Sequence, residues 1–276
     1  MEIVFLVLLG LCFGSFVNAL VWRIHVQSKG GKSKKNAEYS ISKGRSMCVH
    51  CKHVLAAKDL IPIFSWIYLR GKCCYCGKQI SWQYPMVEAV TALLFVISYL
   101  FWPYETAGIG VVSFAAWLMI LVGLVALLIY DIKWMLLPNR IIFFLYWLAG
   151  VYVVARVVES SSLSSVSDYA MGVVIGGGIF YLLFQISSGR WIGGGDVKLG
   201  FLLGALVGSG YFALLLLFIA SVLGSLYSLP LLAAKKANKS SRIPFGPFLI
   251  ISAIVVVLFG NSLTDMYVDY ILGGGI

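Results

Sequence analysis

The sequence predicts an all-α polytopic membrane protein of about eight transmembrane helices, with a small cytoplasmic zinc-binding domain between helices 1 and 2. Hydrophobic residues fill 61% of the 276 positions and charged residues only 12%, against about a quarter charged in soluble domains. Uncharged apolar runs recur at roughly 17 to 25 residues, the length a helix needs to cross about 30 Å of hydrocarbon. The loop after the first run carries four of the six cysteines, in two Cys-x-x-Cys pairs.

The apolar runs cover residues 3–22, 86–102, 109–130, 141–158, 169–186, 197–209, 211–233 and 247–263. The first is long enough to span and lacks a small-residue cleavage site, so it is expected to be a permanent helix and not a signal peptide. The sixth is short, and Gly208-Ser209-Gly210 turns it tightly into the seventh. The chain divides accordingly into a first transmembrane helix (1–22), a four-cysteine domain (23–85) and a seven-helix membrane domain (86–276).

Orientation comes from the uneven placement of the net charge of +10. Between Arg23 and Pro85, twelve Lys and Arg stand against two acids, Glu38 and Asp59. Further basic connections carry Lys133 with Arg140, Arg190 beside Lys198, and Lys235, Lys236, Lys239 and Arg242. The intervening segments are acidic, with Glu105, then Glu159 and Asp168, then Asp265 and Asp269. Basic loops stay in the cytoplasm, so both termini are expected outside. Topology and attraction to anionic lipid account for the positive charge without nucleic acid as a partner. The cluster Lys29 to Lys35, set among Gly and Ser, reads as a mobile, solvated segment.

Cys48-x-x-Cys51 and Cys73-x-x-Cys76 are separated by 21 residues. A two-residue spacer lets both sulfurs of a pair face one metal, so two such knuckles can wrap a tetrahedral zinc. A cytoplasmic position disfavours disulfides, leaving a redox pair or metal-free thiols as the alternatives. Cys74 and Cys12 fall off the spacing, and His50 and His53 flank a pair that is already complete. Four thiolates close the coordination sphere, so the zinc is expected to be structural, stapling a loop with few large apolar side chains.

Asp131 ends an uncharged run, and Asp196 follows Gly193-Gly194-Gly195 at the start of another. A carboxylate beside hydrocarbon is costly and needs a reason. Asp196 has a structural one, as a helix N-cap. Asp131 does not, because a helix C-terminus disfavours negative charge and Lys133 lies two residues on, facing elsewhere. The charge asymmetry puts both at the cytoplasmic rim, where two carboxylates in a poorly solvated site would share one proton and titrate as a pair. That is the chemistry of an aspartic protease in a bilayer. A zinc-regulated transporter would use the same acids as ion ligands, but such sites lie near the midplane on repeated helices, and no internal repeat is visible. Lys198 reads as a snorkelling anchor, Pro244 and Pro247 as the start of the last helix, and Asn18 and Glu88 as buried groups pairing with neighbouring helices.

In order along the chain, several segments resemble one family, the type IV prepilin peptidases. These are Phe13-Gly14-Ser15-Phe16-Val17-Asn18, Cys48-Val49-His50-Cys51, Asp59 through Trp66, Leu69-Arg70-Gly71-Lys72-Cys73 and Tyr84-Pro85-Met86-Val87-Glu88. Asp131 with Leu137-Pro138-Asn139, the Gly-x-Gly-Asp motif ending in Asp196, and Pro244-Phe245-Gly246-Pro247-Phe248 complete the series. Asn139 departs from the acid common there, and Val49-His50 from the usual Pro. The resemblance implies an aspartic endopeptidase of the bacterial inner membrane with Asp131 and Asp196 catalytic. Its substrates would be prepilin or pseudopilin precursors with a basic leader. It also implies N-methylation of the new amino terminus with S-adenosylmethionine, for which Arg70, Gly71, Lys72 and Glu88 are candidate contacts. No Gly-x-Gly-x-x-Gly nucleotide fingerprint accompanies that second activity. Presenilin-like or signal-peptide-peptidase-like enzymes share Gly-x-Gly-Asp, but their Pro-Ala-Leu block is missing and they would leave the zinc loop unexplained.

Overall fold

The computed structural model describes residues 1–29, 39–41, 44–233 and 243–272, all but short turns and two isolated β-bridges being helical or connecting loop. Most of the basic segment from Lys29 to Lys35, and the cluster from Lys235 to Arg242, lie outside those residues. The long helices are α1 (Glu2–Lys29), α3 (Gln83–Leu100), α4 (Gly110–Trp134), α5 (Asn139–Ser160), α6 (Leu163–Ser187), α8 (Gly210–Ala233) and α9 (Gly246–Leu272). Two shorter helices are α2 (Phe64–Tyr68) and α7 (Gly194–Val207). Among the described residues, seven helices are long and apolar enough to cross a membrane. The expected sixth span is the exception: α7 has 14 residues, about 21 Å at 1.5 Å per residue, too short to cross alone. Gly208, with φ of 78°, ends it where the sequence placed the turn.

The chain forms two compact units, one of residues 1–100 with 121–129, the other of residues 101–120 with 130–276. In the first, α1 packs along α3. A Cβ on Gly10 would lie 2.5 Å from the Ala92 Cα and one on Gly14 2.6 Å from the Glu88 Cα, so the missing side chains set the helix separation. Asn18 is buried and bonded within this pair, donating to the Gly14 and Tyr84 carbonyls and accepting from Gln83. Arg23 donates to the carbonyls of Ile41 and Gly44, tying the returning loop to the end of α1.

In the second unit α7 packs against α5, α6, α8 and α9. Its Leu199, Leu202, Leu203 and Leu206 are at most 1% exposed, as expected of a helix apolar all round and enclosed by others. Gly200 and Gly204 abut Gly176 and Gly172 of α6 so closely that any side chain would meet backbone. α5 ends in a polar staple, where the Arg156 guanidinium lies 3.2 Å from the Tyr104 ring and 2.6 Å from Glu159.

Candidate active site

Each aspartate sits where a helix begins or ends because of residues beside it. α4 stops at Met135, whose left-handed backbone (φ 51°) lets its amide return to the Asp131 carbonyl at 2.8 Å, putting Asp131 in the last turn. Asp196 is the third residue of α7. Its amide bonds the Gly193 carbonyl at 3.0 Å, and its carboxylate folds back toward the Gly193 backbone. The N-cap itself is Gly193. The capping reading therefore holds only in part: the carboxylate supports the first turn from inside it, one oxygen 3.4 Å from where a Gly193 Cβ would lie.

The fold brings the two acids into one site, close enough for the charge of one to act on the other. Asp131 is 5% exposed and Asp196 half-buried. The first residue of α9, Gly246, closes against Asp131, and a Cβ there would stand 2.5 Å from the Asp131 Oδ2. That oxygen is buried without a hydrogen-bond partner, beside the amide-rich start of a helix, where negative charge is favoured. No cation is paired with either carboxylate among the described residues. Lys133 is exposed, its ammonium 5.7 Å from the Trp134 ring. Two acids without a cation, one of them with an unengaged oxygen, are suited to holding a proton between them and passing it to a third group.

Further contacts bind the two aspartate blocks together. Leu137 lies against Gly195, 3.2 Å from its hypothetical Cβ. Lys198 Nζ donates to Asn139 Oδ1 at 2.9 Å, while Tyr146 OH bonds the Lys198 carbonyl at 2.7 Å. Lys198 is thus a bracket between blocks, a role its sequence position gave no reason to prefer over lipid anchoring. Gly246 is likewise invisible as a site residue in sequence, where the Pro-Phe-Gly-Pro run signals only the start of a helix.

In the loop of the first unit, the four sulfurs of Cys48, Cys51, Cys73 and Cys76 lie within 4.8 Å of one another. Zinc bound at about 2.3 Å would set sulfurs about 3.8 Å apart, and the Cys48 and Cys76 sulfurs are separated by 3.9 Å. The two knuckles repeat one backbone pattern. Cys48 N–H donates to the His53 carbonyl and Lys52 N–H to Cys48; Cys73 N–H donates to the Lys78 carbonyl and Gly77 N–H to Cys73. Lys52 (φ 59°) and Gly77 (φ 68°) occupy equivalent left-handed positions. Burial opposes ionisation of Cys48, but hydrogen bonds from the backbone amides of Cys51 and His50 and from the Cys73 and Cys51 thiols together bring the thiol down to about 7. The donor set therefore fits a tetrahedral thiolate metal. Cys74 hydrogen-bonds Asp59 instead, and Cys12 is exposed on α1.

The other sequence candidates lie next to this loop. Arg70 (φ 50°) and Gly71 (φ 69°) form a tight turn packed under Trp66, leaving Arg70 and Lys72 exposed. Glu88 is buried, and its Oε2 accepts the Ile63 N–H at 2.7 Å. Ile63 has φ of 60°, an uncommon backbone for a β-branched residue, held in place by this bond.

Fold and site together define a multi-pass helical membrane protein with two aspartates brought into one site at helix ends and a four-cysteine cluster that could hold a metal. Comparison with known proteins places it further. The bacterial peptidase A24 N-terminal domain matches residues 8–102, and the type IV leader peptidase family matches residues 118–229. A prepilin leader peptidase/N-methyltransferase of Bacillus subtilis is 33% identical over 97% of this chain and 98% of its own length. Similarly named proteins of Aeromonas salmonicida and Stutzerimonas stutzeri are 32% and 31% identical, over 96% and 95% of this chain and 93% and 92% of theirs. No solved structure matches. The chain belongs to the type IV leader peptidase family.

Proposed function

We propose that this protein removes the leader of type IV prepilin-like precursors at the cytoplasmic face of the bacterial inner membrane and then methylates the exposed amino terminus. Meeting of Asp131 and Asp196 in one site, in a chain that matches prepilin leader peptidases along nearly its whole length, carries this reading. The basic loops favour a site at the cytoplasmic rim, where a basic leader would meet the apolar helix of its precursor.

One carboxylate, ionised, takes a proton from water as the water oxygen attacks the scissile carbonyl carbon. The other, protonated, hydrogen-bonds the carbonyl oxygen and supports the negative charge that develops there. Collapse of the tetrahedral species breaks the C–N bond, and the leaving amine takes the proton. Gly246 keeps space for the Asp131 Oδ2, and the Lys198–Asn139 bond fixes the two blocks that carry the acids.

Cys48, Cys51, Cys73 and Cys76 would hold the zinc, which shapes the loop and leaves no open position for catalysis. S-adenosylmethionine supplies an electrophilic methyl group when bound. The exposed guanidinium of Arg70, on a turn fixed by Trp66, fits the carboxylate of that cofactor. Glu88 contributes by holding the loop through Ile63. Incubation of purified protein with a pilin precursor and S-adenosylmethionine, read by mass spectrometry, tests both activities. Leader loss followed by one added methyl mass at the new terminus is expected; an intact precursor would refute the assignment.

A further inference from the structure

Outside the site, the least expected surface is the apolar face of α2. Phe64, Ile67 and Tyr68 stand at i, i+3 and i+4, on one face of the helix, and are 61 to 86% exposed. Trp82 and Met86 extend the patch at 68% and 62%. Five large apolar side chains this open, on α2 and at the start of α3, call for a partner.

The contacts that hold α2 identify the partner. The Ile63 amide, at the start of α2, is bonded to Glu88 in the second turn of α3, a membrane-crossing helix. Trp66 Nε1 donates to the Ile80 carbonyl at 3.2 Å, and its ring lies 4.1 Å from that of Trp82, centre to centre. These contacts hold α2 beside the end of α3, where the chain changes from Ser81 and Gln83 to an apolar run. Met86, in the first turn of α3, is itself 62% exposed, so large apolar surface is open at the start of that helix as well. Exposed Lys58 and Lys72 stand a few residues before and after α2 in the chain, while the nearby acids Asp59 and Glu88 are half-buried and buried.

We infer that α2 is an interfacial anchor, laying Phe64, Ile67 and Tyr68 into the acyl boundary of a leaflet rich in anionic lipid while Lys58 and Lys72 meet its headgroups. Apolar residues on one face with cations nearby in the chain are what such a surface needs. This role is independent of peptide cleavage. It would keep the zinc loop against the bilayer, next to any substrate held there.

Full-length protein carrying p-benzoylphenylalanine at position 64 or 68, in nanodiscs of phosphatidylcholine with or without phosphatidylglycerol, tests it. Zinc content checks that each variant is folded, and position 79, exposed on the second knuckle, serves as the reference. Lipid adducts at 64 and 68 should exceed those at 79 several-fold, rise with phosphatidylglycerol and fall at high salt. Adducts no more frequent than at 79, or indifferent to lipid charge, would overturn the anchor. So would crosslinks formed chiefly to a pilin precursor, to a second copy, or to residues 101–276 of the same chain.

Discussion

Gly246 and Lys52 show how single backbone positions carry the local chemistry. A methyl group at 246 would displace the Asp131 carboxylate, since the space it needs is 2.5 Å from Oδ2. Gly246→Ala should therefore cut the rate of leader removal by about a hundredfold, the cost of moving a reacting group by about 1 Å. Assay of the purified, folded variant against a pilin precursor checks this; Gly224→Ala, whose Cβ would meet only ordinary contacts of 3.5 Å and more, serves as the control. Lys52 holds the left-handed position that glycine fills in the second knuckle. Lys52→Gly should remove about 1 kcal/mol of strain and slow zinc loss to a chelator. Faster loss would show that the lysine side chain matters more than its backbone.

At the scale of elements, the two knuckles act as one unit because each supplies two sulfurs to a single cluster. A Cys48→Ser/Cys73→Ser variant should lose its zinc, whereas Cys74→Ser and Cys12→Ser should keep one ion per chain, as metal analysis would reveal. Methylation should fall further than cleavage in the double variant, because the thiols belong to the loop proposed for methyl transfer and the aspartates to helices α4 and α7. Undiminished methylation by the metal-free protein would remove the loop from that activity. Helix α7 depends on a different device. Its glycines let α6 approach to backbone contact, so Gly204→Val should overpack the interface by about 1–3 kcal/mol or more and lower the temperature of aggregation in detergent. An unchanged transition would mean that the α6–α7 packing yields easily.

Across the whole molecule, what was legible in the sequence is what depends on composition and short spacing. Apolar runs located the helices, and the Cys-x-x-Cys spacing picked out the four thiols that converge. The turn at Gly208 was visible because glycine marks a helix end. Less legible was anything decided by contacts between distant segments. Nothing in Pro244-Phe245-Gly246-Pro247 announces that its glycine faces Asp131, or that Lys198 reaches Asn139 across 59 positions. The sixth apolar run looked like a weak span because its flanks supply no further apolar residues. It folds as a buried helix of 14 residues, enclosed by four neighbours. Orientation is an expectation from charge alone, with Lys58 and Lys78 in the cytoplasm and Asp168 outside. Membrane-impermeant labelling of cysteines introduced at these positions in intact cells should mark position 168 only; labelling at 58 would invert the topology.

The pairing of Asp131 with Asp196 is tested most directly by neutralising each in turn without changing its shape. Asp131→Asn and Asp196→Asn keep the volume of the side chain but cannot hold or pass the proton. Each purified variant should lose leader removal by about a hundred- to ten-thousandfold, the range general acid–base groups contribute. Both should still methylate a peptide supplied with its leader already removed, which separates loss of chemistry from loss of fold. Leader removal at the normal rate by either variant would contradict a shared-proton mechanism and return that aspartate to its structural role at the end of a helix.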